Sequence, residues 1–119
     1  MQRMLDVYTY AQCSTCRKAT AFLKARGVPF RELPIRERPP GVPQLKRMLA
    51  AVGGDVKRLF NTSGQDYRAL GLKDKLPTMT DAAALTLLAG NGNLIKRPFV
   101  LAGTRGLVGF APEAWAELG

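Results

Sequence analysis

The chain contains no histidine. That removes cysteine–histidine and serine–histidine catalysis, both of which need an imidazole as base. It has only 2 cysteines, so a four-ligand zinc site would need two carboxylates or a second chain, and no metal is expected. No apolar run reaches the ~18 residues of a membrane helix, so nothing is expected to span a membrane. The opening MQRMLDVYTY alternates and contains an acid, unlike the charged-then-apolar layout of a signal peptide. A cytoplasmic protein is expected. In that compartment a close cysteine pair serves catalysis, redox sensing or metal binding more often than structure.

Acids are scarce as well: 9 Asp and Glu face 18 Lys and Arg, for a net charge of +9. Such a balance favours anionic partners. The basic residues are nevertheless scattered, among them Arg17, Lys18, Lys24, Arg26, Arg31, Arg36, Arg38, Lys46 and Arg47, and they are not interleaved with aromatics. The expectation is a solvated basic surface with one local anion site and no direct sequence-specific nucleic acid binding. Neither a heptad pattern nor an obvious apolar patch is present, so a monomer is expected.

What is present suits one domain over 1–119: the length allows a single core, and 46% apolar residues can build it without a disulfide. MLDVYTY (4–10) reads as a strand. A helix from Ser14 to Arg26 follows, its apolar face made by Cys16, Ala19, Phe22 and Leu23, with Gly27 at the stop. VPFRELPI (28–35) is a second short strand bounded by prolines, and Pro29 and Pro34 imply that it is short or at an edge. From about 43 to 92 the pattern is helical, beginning with Pro43 and the Leu45, Met48, Leu49, Val52 stripe. Asp55 can cap a short helix, and Thr80–Asp81 starts another through AAALTLLAG. FVLAGTRGLVGF (99–110) reads as a hairpin around Gly103–Gly106, and PEAWAEL as a last helix. The order β-α-β, helical block, β-β-α predicts a two-layer α/β design. It is the order of a thioredoxin-like fold, a mixed four-stranded sheet, with a helical insertion in the middle.

Both cysteines lie in YAQCSTCRKA. Cys13 falls between strand and helix, where free backbone N–H groups and the positive dipole end favour an anion. A thiolate is such an anion, so Cys13 is the expected nucleophile, with Arg17 and Lys18 adding to the field. Cys16 stands one turn along, about 5–6 Å away, and should be more buried and less ionised. That placement suits a thiol that resolves a mixed disulfide, although a buried core cysteine would read the same way. In NLIKRPFVL, Pro98 would start the strand facing the cysteine loop, where a cis peptide would expose backbone groups beside the thiol. Arg97 would then point a planar charged fork at whatever Cys13 attacks. Spacing alone equally suits a surface arginine before an edge-strand proline.

The CSTCRKA opening, LFNTSGQDYRALGLKDKLPTMT, LIKRP and the closing LVGF together resemble the arsenate reductase (ArsC)/Spx-like family, from Tyr8 to about Trp115. The nearest resemblance is to its bacterial arsenate-reductase-like subgroup with a C-x-x-C motif. The resemblance implies a thioredoxin-like fold with a helical insertion, a catalytic cysteine at Cys13, and an oxyanion-binding arginine before a cis proline at Arg97–Pro98. With Cys16 these form the expected catalytic set, and Ser14, Thr15, Arg97 and Pro98 the expected substrate-binding set. No bound cofactor is implied. In the family's reductases glutathione is the co-substrate and glutaredoxin or thioredoxin the partner. In its Spx members the pair is a redox switch, and the protein binds RNA polymerase at the C-terminal domain of the α chain. The sequence departs from the glutaredoxin-linked reductases in having Cys16, and in having Asn61 where they hold a further anion-binding arginine. Arg105, in the expected hairpin turn, is the candidate replacement. A thiol-dependent reductase acting on an oxyanion or a disulfide is the leading expectation, and a redox-sensing regulator is the alternative.

Overall fold

The computed structural model describes residues 4–103 and 105–118. Four strands form one sheet in the order β2-β1-β3-β4: β1 (Leu5–Thr9), β2 (Phe30–Pro34), β3 (Phe99–Ala102) and β4 (Arg105–Val108). β1 and β2 run parallel, with Leu5 opposite Phe30 and Thr9 opposite Pro34. The crossover between them is α1 (Ser14–Ala25), which stops where Gly27 adopts φ +68°. β2 lies at the sheet edge, where Pro34 removes no central ladder bond. β3 is antiparallel to β1 and to β4, which gives the thioredoxin-like arrangement. Thr104, part of the expected hairpin turn, lies outside the described residues.

The expected two layers are in fact three. Alternate residues of the central strands enter two separate cores, because side chains of a strand point to opposite faces. Leu5, Val7 and Val100 pack with Ala19 and Leu23 of α1 and with Trp115. Tyr8, Phe99 and Leu101 pack on the other face against the helical block. That block contains α2 (Val42–Ala51), α3 (Gln65–Ala69), α4 (Leu72–Lys75) and α5 (Asp81–Ala89), with 3-10 turns between α2 and α3 and between α4 and α5. Sequence order marks it as an insertion. Its apolar faces still need a partner, and the second sheet face is where they are buried. Asp55 precedes the 3-10 turn Val56–Leu59 without a side-chain cap bond, whereas the Thr80 hydroxyl accepts the Ala83 N–H at 3.1 Å.

The last helix, α6 (Pro112–Trp115), closes the first face. Trp115 is 1% exposed, and its indole N–H donates to the Gly109 carbonyl at 3.1 Å. Burying an aromatic of that size contributes about 3 kcal/mol. No helix among the described residues is long and apolar enough to cross a membrane.

Register positions the site. Tyr8 at the end of β1 pairs with Phe99 at the start of β3, so the segment entering β3 lies beside the loop leaving β1. Residues 94–96 are held by a short ladder to the helical block. In it, Asn61 N–H bonds the Leu94 carbonyl at 2.7 Å and Lys96 N–H bonds the Leu59 carbonyl at 2.8 Å.

Candidate active site

The chain leaves β1 through Tyr10, turns, and enters α1 at Ser14. Cys13 N–H donates to the Tyr10 carbonyl at 2.9 Å, and the Arg17 Nη1 donates to the Ala11 carbonyl at 3.2 Å, which ties the turn down from both sides. Cys13 is the N-cap residue with an extended backbone, φ −87° and ψ 113°. Its Sγ accepts the backbone N–H of Cys16 at 3.2 Å. This is the bond a serine or aspartate makes at a helix start, here made by a sulfur that gains from any positive dipole. Both thiols are free; Cys13 is half-buried and Cys16 fully buried.

Cys16 sits on the buried stripe of α1 with Ala19 and Leu23. Burial, then its side-chain hydrogen bond with Cys13, push its thiol up to about 12. Cys16 therefore stays protonated at neutral pH. The sign for stability follows from the folded thiol holding its proton more tightly than the unfolded one, whose value is 9.0. The contribution is complete below pH 9 and is lost as pH rises towards about 12. Urea melts across that window should show the parent losing stability more steeply than Cys16→Ala; parallel slopes would contradict the burial argument.

Cys13 opens onto a pocket of about 440 Å³ lined by Tyr10, Gln12, Ser14, Thr15, Asn61, Lys96 and Arg97. Of the residues expected from sequence, Cys13, Ser14, Thr15 and Arg97 thus share one pocket. Cys16 lies behind it. Pro98 follows a cis peptide bond from Arg97 and is buried, its carbonyl taken by Gly109 N–H at 2.9 Å; it is not among the lining residues. Arg97 Nη1 is buried without a hydrogen-bond partner. The guanidinium carbon stands 5.0 Å from the Tyr10 ring centroid. An unpaired buried guanidinium N–H is costly, and an anionic or carbonyl oxygen would relieve it. Asn61 does line the pocket.

Arg105 does not supply the replacement charge. It pairs with Ala102 at the far end of the hairpin from Phe99, and its Nη2 holds Glu117 at 2.8 Å. Composition hides two residues that stand at or beside the thiol pocket. Tyr10 reads from the sequence only as the end of a strand, and Arg36 as one of many scattered cations. Arg36 follows β2, and its Nη1 donates to the Tyr10 hydroxyl at 2.9 Å. The signal that could have found it is positional, since residues just beyond the carboxyl ends of parallel strands face the ligand crevice of open α/β sheets. Among the described residues no group of three or more His, Cys, Asp or Glu is gathered to hold a metal ion.

Comparison with known proteins places these features in a family context. The ArsC family profile matches residues 8–118. The uncharacterized protein YusI of Bacillus subtilis is 43% identical over 113 residues, covering 95% of this chain and 96% of its own length. The global transcriptional regulator Spx of Enterococcus faecalis is 32% identical over 108 residues, covering 90% of this chain and 80% of its own. Among solved structures, an ArsC-family-related protein from Bacteroides fragilis superposes with a TM-score of 0.93 at 40% identity, over 100% of both chains.

Proposed function

Since this chain belongs to the ArsC family, we propose that it is a thiol-dependent reductase in which Cys13 is the nucleophile and Arg97 binds the substrate. The observation that carries the reading is one arrangement. The Cys13 sulfur, held by a backbone N–H at a helix start, opens onto the same pocket as an arginine with an unpaired buried N–H.

Between an oxyanion and a disulfide, the thiol pocket favours the disulfide. A multiply charged oxyanion is best held by several guanidiniums, whereas Arg97 is the one arginine lining the thiol pocket and Asn61 stands where a further one would be. In the disulfide reaction the Cys13 thiolate attacks one substrate sulfur. The Cys13–substrate S–S bond forms, the substrate S–S bond breaks, and the departing thiolate takes a proton. Cys16 then gives up its thiol proton, to the second substrate sulfur as it departs or to water, and attacks the Cys13 sulfur. The second substrate thiolate leaves, and two electrons have passed from the cysteine pair to the substrate. Two glutathione thiols, or the dithiol of a glutaredoxin or thioredoxin, return them and leave as a disulfide. The high affinity of Cys16 for its proton makes direct attack by an external thiol on the mixed disulfide a competing route.

The test is NADPH consumption coupled through glutathione reductase, glutathione and glutaredoxin, with a small mixed disulfide and arsenate offered in turn. Arg97→Gln should lower kcat/KM by roughly 10- to 100-fold, since it removes a charge-assisted hydrogen bond. An unchanged value would remove Arg97 from the substrate site.

The similarity to the Spx regulator supports a second reading, in which the Cys13–Cys16 pair is a sensor. Its oxidation would reshape a face that binds RNA polymerase at the C-terminal domain of the α chain. Reversible oxidation of the pair without turnover of either substrate would favour it.

A further inference from the structure

Past Tyr10, Asn61 and Arg97, the thiol pocket adjoins a second pocket of about 300 Å³ that the chemistry at Cys13 does not need. Tyr10, Asn61 and Arg97 line both, so the two are neighbours across shared walls. The second is completed by Arg36, Gly64, Gln65, Asp66 and Asn93, and its charged residues are two arginines and one aspartate.

Both guanidiniums line this pocket and share one aromatic neighbour. The Arg36 guanidinium carbon lies 4.9 Å from the Tyr10 ring centroid and that of Arg97 lies 5.0 Å from it. Each gains a cation–π attraction, but two like charges beside one ring also repel. Among the described residues the ion pairs are Arg31–Asp6 and Arg105–Glu117, so neither Arg36 nor Arg97 takes part in one. Arg97 Nη1 in addition is buried and unpartnered. A carboxylate is the group that answers both facts, since its two oxygens match the planar fork and its charge offsets the excess positive charge of the pocket.

Asp66 supplies the opposite sign. One of its oxygens, Oδ2, accepts the side-chain amides of Asn91 at 3.1 Å and Asn93 at 3.4 Å. Those bonds orient the carboxylate, and among the described residues it takes part in no ion pair. Two arginines and an aspartate lining one small pocket are complementary to a zwitterion, not to a simple anion.

We propose that this second pocket is a subsite for the α-amino-acid end of the disulfide substrate, with its carboxylate on Arg36 and Arg97 and its ammonium on Asp66. The substrate class is then a small disulfide of an amino-acid thiol, its sulfur presented to Cys13 in the adjoining pocket. This rests on the disulfide-reductase reading above and adds the recognition element to it.

Four disulfides separate the contributions: L-cystine carries both charges, 3,3′-dithiodipropionate only the carboxylate, cystamine only the ammonium, and 2-hydroxyethyl disulfide neither. Each rate with the protein is divided by the rate of the same disulfide with free glutathione, which removes intrinsic reactivity. The subsite predicts that L-cystine exceeds 2-hydroxyethyl disulfide by at least about tenfold on this scale. Arg36→Met should shrink the advantage of both carboxylate-bearing disulfides. Asp66→Asn should shift preference from L-cystine towards 3,3′-dithiodipropionate. Equal normalised rates in the parent, or ratios that neither variant moves, would overturn the subsite and leave the reductase standing. Failure of Cys13 to react with any of the four would overturn both.

Discussion

Cys13→Ser is expected to bring turnover in the coupled assay to background, a loss on the order of 10³-fold or more. A hydroxyl does not ionise near neutral pH and cannot form the mixed disulfide through which the reaction passes. The substitution also separates chemistry from folding. Cys13 occupies the N-cap of α1 and accepts the Cys16 N–H through its side chain, and serine is among the residues that perform that role best. The variant should therefore unfold at or slightly above the parent's urea midpoint. A folded but inactive Cys13→Ser would assign the nucleophile. Parent-level turnover in the variant would sink the reductase proposal, whatever its stability.

The largest expected effect on stability belongs to Gly92→Ala. A methyl group at this position would stand 1.9 Å from the Ile35 carbonyl oxygen, 2.8 Å from its carbon and 2.9 Å from the Arg36 Cα. All three are backbone atoms, so no side-chain rotation relieves the clash. The backbone at Ile35 cannot easily retreat either, because its N–H bonds the Thr9 carbonyl at 2.8 Å and its side chain is 0% exposed. We expect a loss of about 3 kcal/mol or more, read as a shift in the urea midpoint. Gly27→Ala is the useful contrast. There φ is +68° but nothing lies within 4 Å, so only the backbone preference is lost, about 1 kcal/mol. Similar costs at the two positions would show that the chain at Ile35 yields more readily than its bonding suggests. Because Arg36 and Asn93 both line the second pocket, any such yielding would also be felt there.

Much of the fold was legible because it depends on neighbours in the chain. Period-two alternation in β1, the apolar stripe of α1 ending at Gly27, and Trp115 in a terminal helix are local signals, and the structure contains all three elements. The β-α-β start and β-β-α end then leave few topologies, since a parallel crossover has one preferred hand. The layering was less legible. A helical run of about fifty residues announces apolar faces but not what they cover, and only the assembled sheet offers Tyr8, Phe99 and Leu101 on a face that α1 does not occupy.

The candidate site divides the same way. Two cysteines three apart, after a strand and opening a helix, already imply a cap thiol and a second, more buried thiol one turn behind it, because helical spacing and the helix dipole act within a single turn. Arg36, Asp66 and Asn93 carry no such local signature. They come from the end of β2, from α3 and from the turn before β3, and Arg105, which sequence position put forward, is carried to the opposite end of its hairpin. The sequence by itself determined which reactive groups the chain offers, a thiol pair at a helix start and no histidine. Which charges surround that pair was decided only by the tertiary structure, because strand register and the Phe60–Ile95 bridge bring together residues that no local rule connects.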